Sequence, residues 1–226
     1  MATLDGVTVS AHGVTWGQFS GQHLWAAAHF AREANRHEEA AMMLPRPEDN
    51  HDLVRWHVVT AIMTSAAAVE AYAGEIGAEP EKLFPNRPPS EARFEIEKML
   101  KGSSILPKYR KLAELADGST SLDWMKGEER ALNDLILLRN KLIHFSGEPP
   151  WARKVHDEVE QRLAQHFAGT PLLPGARFFP EGFNSYACAK WCVETARAFV
   201  VAFAARYSWP VDFSTKPVHA AKLALP

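Results

Sequence analysis

The chain has 226 residues, 46% of them hydrophobic and 23% charged, and a net charge of −2 at neutral pH. Such proportions belong to a globular protein with a sizeable core, and they exclude disordered, collagen-like and low-complexity classes. No global positive field draws this chain to nucleic acid, so any such contact needs a local basic patch.

The two cysteines, Cys188 and Cys192, stand four apart in one apolar run. That excludes a disulfide framework and points to a reducing compartment. Residues 1–13 lack the basic start and apolar stretch of a signal peptide. The apolar runs near Ala61–Val69 and Ala198–Ala205 are too short to span a bilayer. A cytoplasmic protein without membrane contact is expected.

Helical periodicity dominates the chain, and only Val7–Val9 alternates at period two. A first helix is predicted from Ser20 to Leu44, with Phe30, Ala34, His37 and Ala41 at helical spacing and Pro45 and Pro47 as the stop. Asp49 or Asn50 can cap a second helix, Asp52 to Ile76. Its stripe of Ala61, Ser65, Ala68, Ala71 and Tyr72 suits close helix–helix approach. Gly77, Pro80, Pro85, Pro88 and Pro89 mark a long loop over residues 77–90. Short helices follow at Ser90–Lys101 and Pro107–Ala116.

The strongest amphipathic pattern runs from Glu128 to His144, with Leu132, Leu135, Ile136, Leu138, Leu142 and Ile143 on its apolar face. Gly147, Pro149 and Pro150 end it, and a polar helix, Trp151–Phe167, comes next. A second loop carries Pro171, Pro174, Gly175 and Pro180. The last helix, Ser185–Tyr207, is capped by Asn184 or Ser185, and the chain after Pro210 reads as a surface extension. The pattern predicts an all-α bundle of two long early and two long late helices, with shorter helices between them. Residues 1–48 are read as an N-terminal helical extension, 49–210 as the bundle and 211–226 as a tail.

Several chemistries lack their residues. There is no Gly-rich phosphate loop, no GxSxG, no HExxH, no CxxC and no pair of Glu-x-x-His motifs. Cys188 and Cys192 supply half of a zinc site with no second half, and core packing is their simpler role. No metal or cofactor is expected. The histidines are scattered; His29 and His37 on the first helix and His51 and His57 on the second read as surface or satisfied core groups. Glu70 and Glu75 stand on the apolar second helix, on an exposed face or beside a cleft. Lys101, Lys108, Arg110 and Lys111, with Tyr109 among them, form a solvated helix face or a patch that touches phosphates and stacks on a base.

Residues 138–145 read Leu-Arg-Asn-Lys-Leu-Ile-His-Phe. Arg139 and His144 close the most amphipathic helix, and the polar Asn140 directly follows the arginine. On spacing alone, both are cationic groups suited to terminal helix carbonyls. In an unbroken helix a five-residue step leaves two side chains ~140° apart, so the helix must end before His144 or the pair must flank a cleft from two edges.

This segment resembles the signature of the HEPN superfamily, an arginine followed four to six residues later by histidine, often with a polar residue after the arginine. Ser65-Ala66-Ala67-Ala68-Val69-Glu70-Ala71-Tyr72 is similar to the first core helix of stand-alone bacterial HEPN proteins, as are Leu106-Pro107-Lys108-Tyr109 and Cys188-Ala189-Lys190-Trp191 to other parts of that group. The resemblance spans roughly residues 50–210. It implies a HEPN-like antiparallel helical bundle with additional helices, and a homodimer whose Arg-His motifs share a cleft. It also implies a metal-independent endoribonuclease or an inactive binding module, in toxin–antitoxin or phage-defence settings with a cognate antitoxin or other partner protein. On that reading Arg139, Asn140 and His144 are catalytic, and Lys108, Arg110 and Lys111 bind RNA. RNA carries its own nucleophile, the 2′-hydroxyl; imidazole suits proton transfer near neutral pH, and guanidinium grips phosphate oxygens.

Overall fold

The computed structural model describes residues 19–78, 88–102, 104–145, 154–209, 211 and 221–226. Val7–Val9, most of the 77–90 loop, and Gly147, Pro149, Pro150 and Trp151 lie outside the described residues. The α-helices are α1 (Phe19–Met42), α2 (His51–Ala78), α3 (Pro89–Gly102), α4 (Ile105–Asp117), α5 (Lys126–Ile143), α6 (Lys154–Leu163) and α7 (Tyr186–Tyr207). No strand occurs among the described residues. No helix there is long and apolar enough to cross a membrane.

Helix α2 is apolar on nearly every side, and a helix of that kind belongs in the middle of a bundle. It touches α1, α3, α4, α5 and α7. The most extensive pairing is α1 with α2. Ala27, Ala28, Ala31 and Ala34 are fully buried in it, as are Val54, Val58, Ala61 and Ile62 of α2. Small side chains let the two backbones approach closely. Thus α1 belongs to the same core as α2, and no packing boundary falls near residue 48.

Polar groups staple the helices. Glu75 of α2 accepts hydrogen bonds from the Ser20 backbone N–H at 2.7 Å and the Ser20 hydroxyl at 2.5 Å, so a carboxylate satisfies the amino end of α1. Glu70 holds the buried Lys108 ammonium at 2.6 Å. Glu70 and Glu75 each tie α2 to a neighbouring element, although the Glu70 side chain keeps 45% exposure. Asp49 and Asn50 lie inside a 3-10 turn, Pro47–Asn50, that runs straight into α2. At α7 the Ser185 hydroxyl accepts from the Cys188 N–H at 3.2 Å, the expected cap.

Tyr109 corrects an expectation. It is fully buried and edge-on to Phe199 and Phe203, with centroids at 4.7 and 4.8 Å, and its hydroxyl donates to the Val69 carbonyl at 2.6 Å. It pins α4 to α2 and α7 and offers no face to a base. The C-terminal residues also differ from a free extension. Leu223 is buried, and Arg32 donates to the carbonyls of Lys222 and Ala224 at 2.9 and 3.0 Å. Lys190 donates to the Pro226 carbonyl at 2.6 Å, so residues 221–226 lie against α1 and α7.

The α1–α2 contact carries a pH dependence. The rings of His37 and His57 stack at 5.0 Å, 6° from parallel, with Glu33, Arg36 and His29 nearby. Burial, then the neighbouring His37, lowers the pKa of His57. A lowered folded-state pKa means the unfolded chain takes the proton first as pH falls, so stability rises with pH here. We expect urea-denaturation midpoints to fall as pH drops below about 6.5, the ordinary imidazole value. His57→Gln should flatten that slope; an unchanged slope would place the dependence elsewhere.

Candidate functional site

Helix α5 positions the Arg139–His144 segment. Glu128 and Glu129 sit in its first turn and Lys141 in its last, matching the helix dipole at both ends. Leu132, Leu135 and Leu138 are fully buried and fix which face meets the core. At ~100° per residue, Asn140 and His144 then fall on one outward face, while Arg139 lies toward the packed side. Asn140 and His144 are exposed and Arg139 is half-buried.

The helix ends at Ile143. His144 is the C-cap, with φ −108° and ψ 38°, and its N–H still donates to the Asn140 carbonyl at 2.9 Å. The Arg139 guanidinium donates to Asn140 Oδ1 at 2.9 Å. The Asn140 side chain therefore engages the arginine, while its carbonyl makes the last ordinary turn bond of the helix to the His144 N–H. No direct hydrogen bond joins Arg139 to His144 among the described residues. Ile143 and Phe145 flank the histidine and are 44% and 51% exposed. Phe145 lies 5.9 Å from the His156 ring and 6.5 Å from Phe179, which fastens the chain beyond α5 to the α6 side of the molecule.

The basic cluster is not one open surface. Lys108 is buried on Glu70, beyond the reach of a strand on the surface. Arg110 donates to Glu129 at 2.6 Å, and Lys111 sits between Glu95 and Glu114, each at 3.1 Å.

A second cluster escaped the sequence reading. Asp134 of α5 is 1% exposed and accepts from Arg162 Nε at 2.7 Å, from Arg162 Nη2, and from His166 Nε2 at 2.8 Å. The His166 ring stacks on Trp191 of α7 at 4.8 Å. This buried carboxylate joins α5 to α6 and α7. The available signal was a charge beside Leu135 on the apolar face of α5, since an aspartate is almost never buried without partners. Cys188 and Cys192 are both fully buried; burial, then the hydrogen bond between them, pushes the Cys188 thiol well above the usual range. Among the described residues no group of three or more His, Cys, Asp or Glu is placed to hold a metal ion.

The fold is an all-helical bundle in which Asn140 and His144 are exposed at the end of α5 and Arg139, half-buried, reaches Asn140. No protein-family model, curated protein or solved structure matches the chain.

Proposed function

We propose that this chain is a metal-independent endoribonuclease of the HEPN type, working as a homodimer. The observation that carries the reading is the Arg139 guanidinium held on Asn140 Oδ1 at 2.9 Å, four residues before the exposed His144 that caps the same helix. In this scheme the 2′-hydroxyl of RNA attacks the adjacent phosphorus, an imidazole takes its proton, and a second imidazole protonates the leaving 5′-oxygen. Arg139 offsets charge on the phosphorane. One histidine cannot serve both sides of one phosphorus, so a two-fold pair supplies the second copy. The products are a 2′,3′-cyclic phosphate and a free 5′-hydroxyl.

Exposed Ile143 and Phe145 beside His144 favour a second reading, an inactive HEPN-like dimer that binds a partner protein or nucleotide through this end of α5. Incubating the purified chain with RNA in EDTA separates the two. The nuclease reading expects fragments ending in 2′,3′-cyclic phosphate. RNA that stays intact across pH and salt would leave only the binding module.

A further inference from the structure

A groove of about 460 Å³ lies between the start of α4 and the first turns of α5. Arg110, Lys126 and Arg130 line it against one carboxylate, Glu129, together with Leu106 and Asn133. Glu129 is engaged by Arg110 at 2.6 Å. Lys126 and Arg130 are exposed, and Lys126 has only a loose contact with Asp123 at 3.6 Å. Arg130 forms no ion pair or hydrogen bond among the described residues. Among the described residues the groove thus carries three cations against one lining carboxylate, with Arg130 left unpaired there.

Its position on α5 gives it a direction. Asn133 and Asn140 are seven apart, and Arg130 and His144 fourteen apart, so all four share one face of a 3.6-residue helix. The path from Arg130 to His144 covers ~21 Å along the axis. Among the described residues no aromatic ring lines the groove, so they offer no platform for a base. Cations without stacking partners hold backbone phosphates and do not read sequence.

We infer that the α4–α5 groove holds the phosphate backbone of single-stranded RNA and feeds it along the Arg130–Asn133–Asn140 face to His144. This rests on the nuclease reading and adds the path of its substrate.

The test uses the full chain and a fluorescent oligoribonucleotide of about ten nucleotides, 2′-O-methylated so that it cannot be cleaved. Each phosphate contact contributes about 0.7 to the salt slope of single-strand binding. The Lys126→Gln/Arg130→Gln variant should therefore lower the slope by about 1.4, which is roughly 25-fold weaker binding at 0.1 M salt, converging with the parent by 1 M. Both positions are exposed, so the variant should keep the parent's thermal midpoint. Oligonucleotides of different sequence should bind alike. Unchanged affinity and slope in the variant, or no binding by the parent chain, would overturn the groove assignment even if the parent cleaves RNA. Groove-dependent binding without cleavage by the parent would support the groove and overturn the nuclease reading instead.

Discussion

His144→Ala is expected to lower RNA cleavage by about a hundred- to ten-thousand-fold, the usual weight of one positioned acid–base group. The side chain is exposed at a helix end, and its contribution to α5 is a backbone N–H that alanine retains. The thermal midpoint and circular dichroism should therefore stay those of the parent, and the loss should fall on kcat with little change in KM. Arg139→Lys makes the complementary measurement. Lysine preserves the charge but loses the planar fork that holds Asn140 Oδ1 and can grip two phosphate oxygens. Both kcat and KM should worsen. Cleavage by His144→Ala at the parent rate would remove the acid–base role and leave Arg139 without a reaction to serve.

Where the sequence was legible, the reason was local. The apolar face of α5 repeats at helical spacing over several turns, so the burial of Leu132, Leu135 and Leu138 could be read from the chain, while Ile143 at its end is exposed. The angular mismatch between Arg139 and His144 left either a helix end before the histidine or a cleft flanked from two edges, and α5 does end at Ile143. Contacts distant in sequence left no comparable trace. Lys108 looks like one more solvated cation until Glu70, thirty-eight residues upstream, is placed beside it. Helix α1 buries alanines, a weak hydrophobic signal, so the sequence supported both a bundle with two long early helices and an extension over residues 1–48. Residues 221–226 dock largely through backbone carbonyls to Arg32 and Lys190, which no side-chain pattern records. Arg130 and Lys126 were overlooked because charged residues near a helix start usually mean only a solvated turn. The groove beside them exists only once α4 is packed on α5.

Asp134→Ala should cost about 3 kcal/mol of stability. Breaking a buried charge pair by removing one partner typically costs 3–5 kcal/mol, because the other charge stays desolvated. The lower end applies because Arg162 and His166 retain 29% and 19% side-chain exposure, and Glu158 lies 3.8 Å from the guanidinium. For a chain of this length the thermal midpoint should fall by roughly 6–12 °C. Lost packing alone would predict a different pattern across a double-mutant cycle. If unpaired charge dominates, Asp134→Leu combined with Arg162→Met recovers much of what Asp134→Leu loses, since apolar replacement of a whole buried pair is often neutral. Additive losses would show that the pair is not the source. The same cluster bears on the site because Asp134 anchors α5 to the segment containing Arg162 and His166. Phe145, next to His144, reaches His156 and Phe179 on that same side of the molecule. An Asp134 variant that still folds should therefore loosen the exit from α5 and reduce cleavage at temperatures below its midpoint, whereas the groove variant should lose affinity with its midpoint intact.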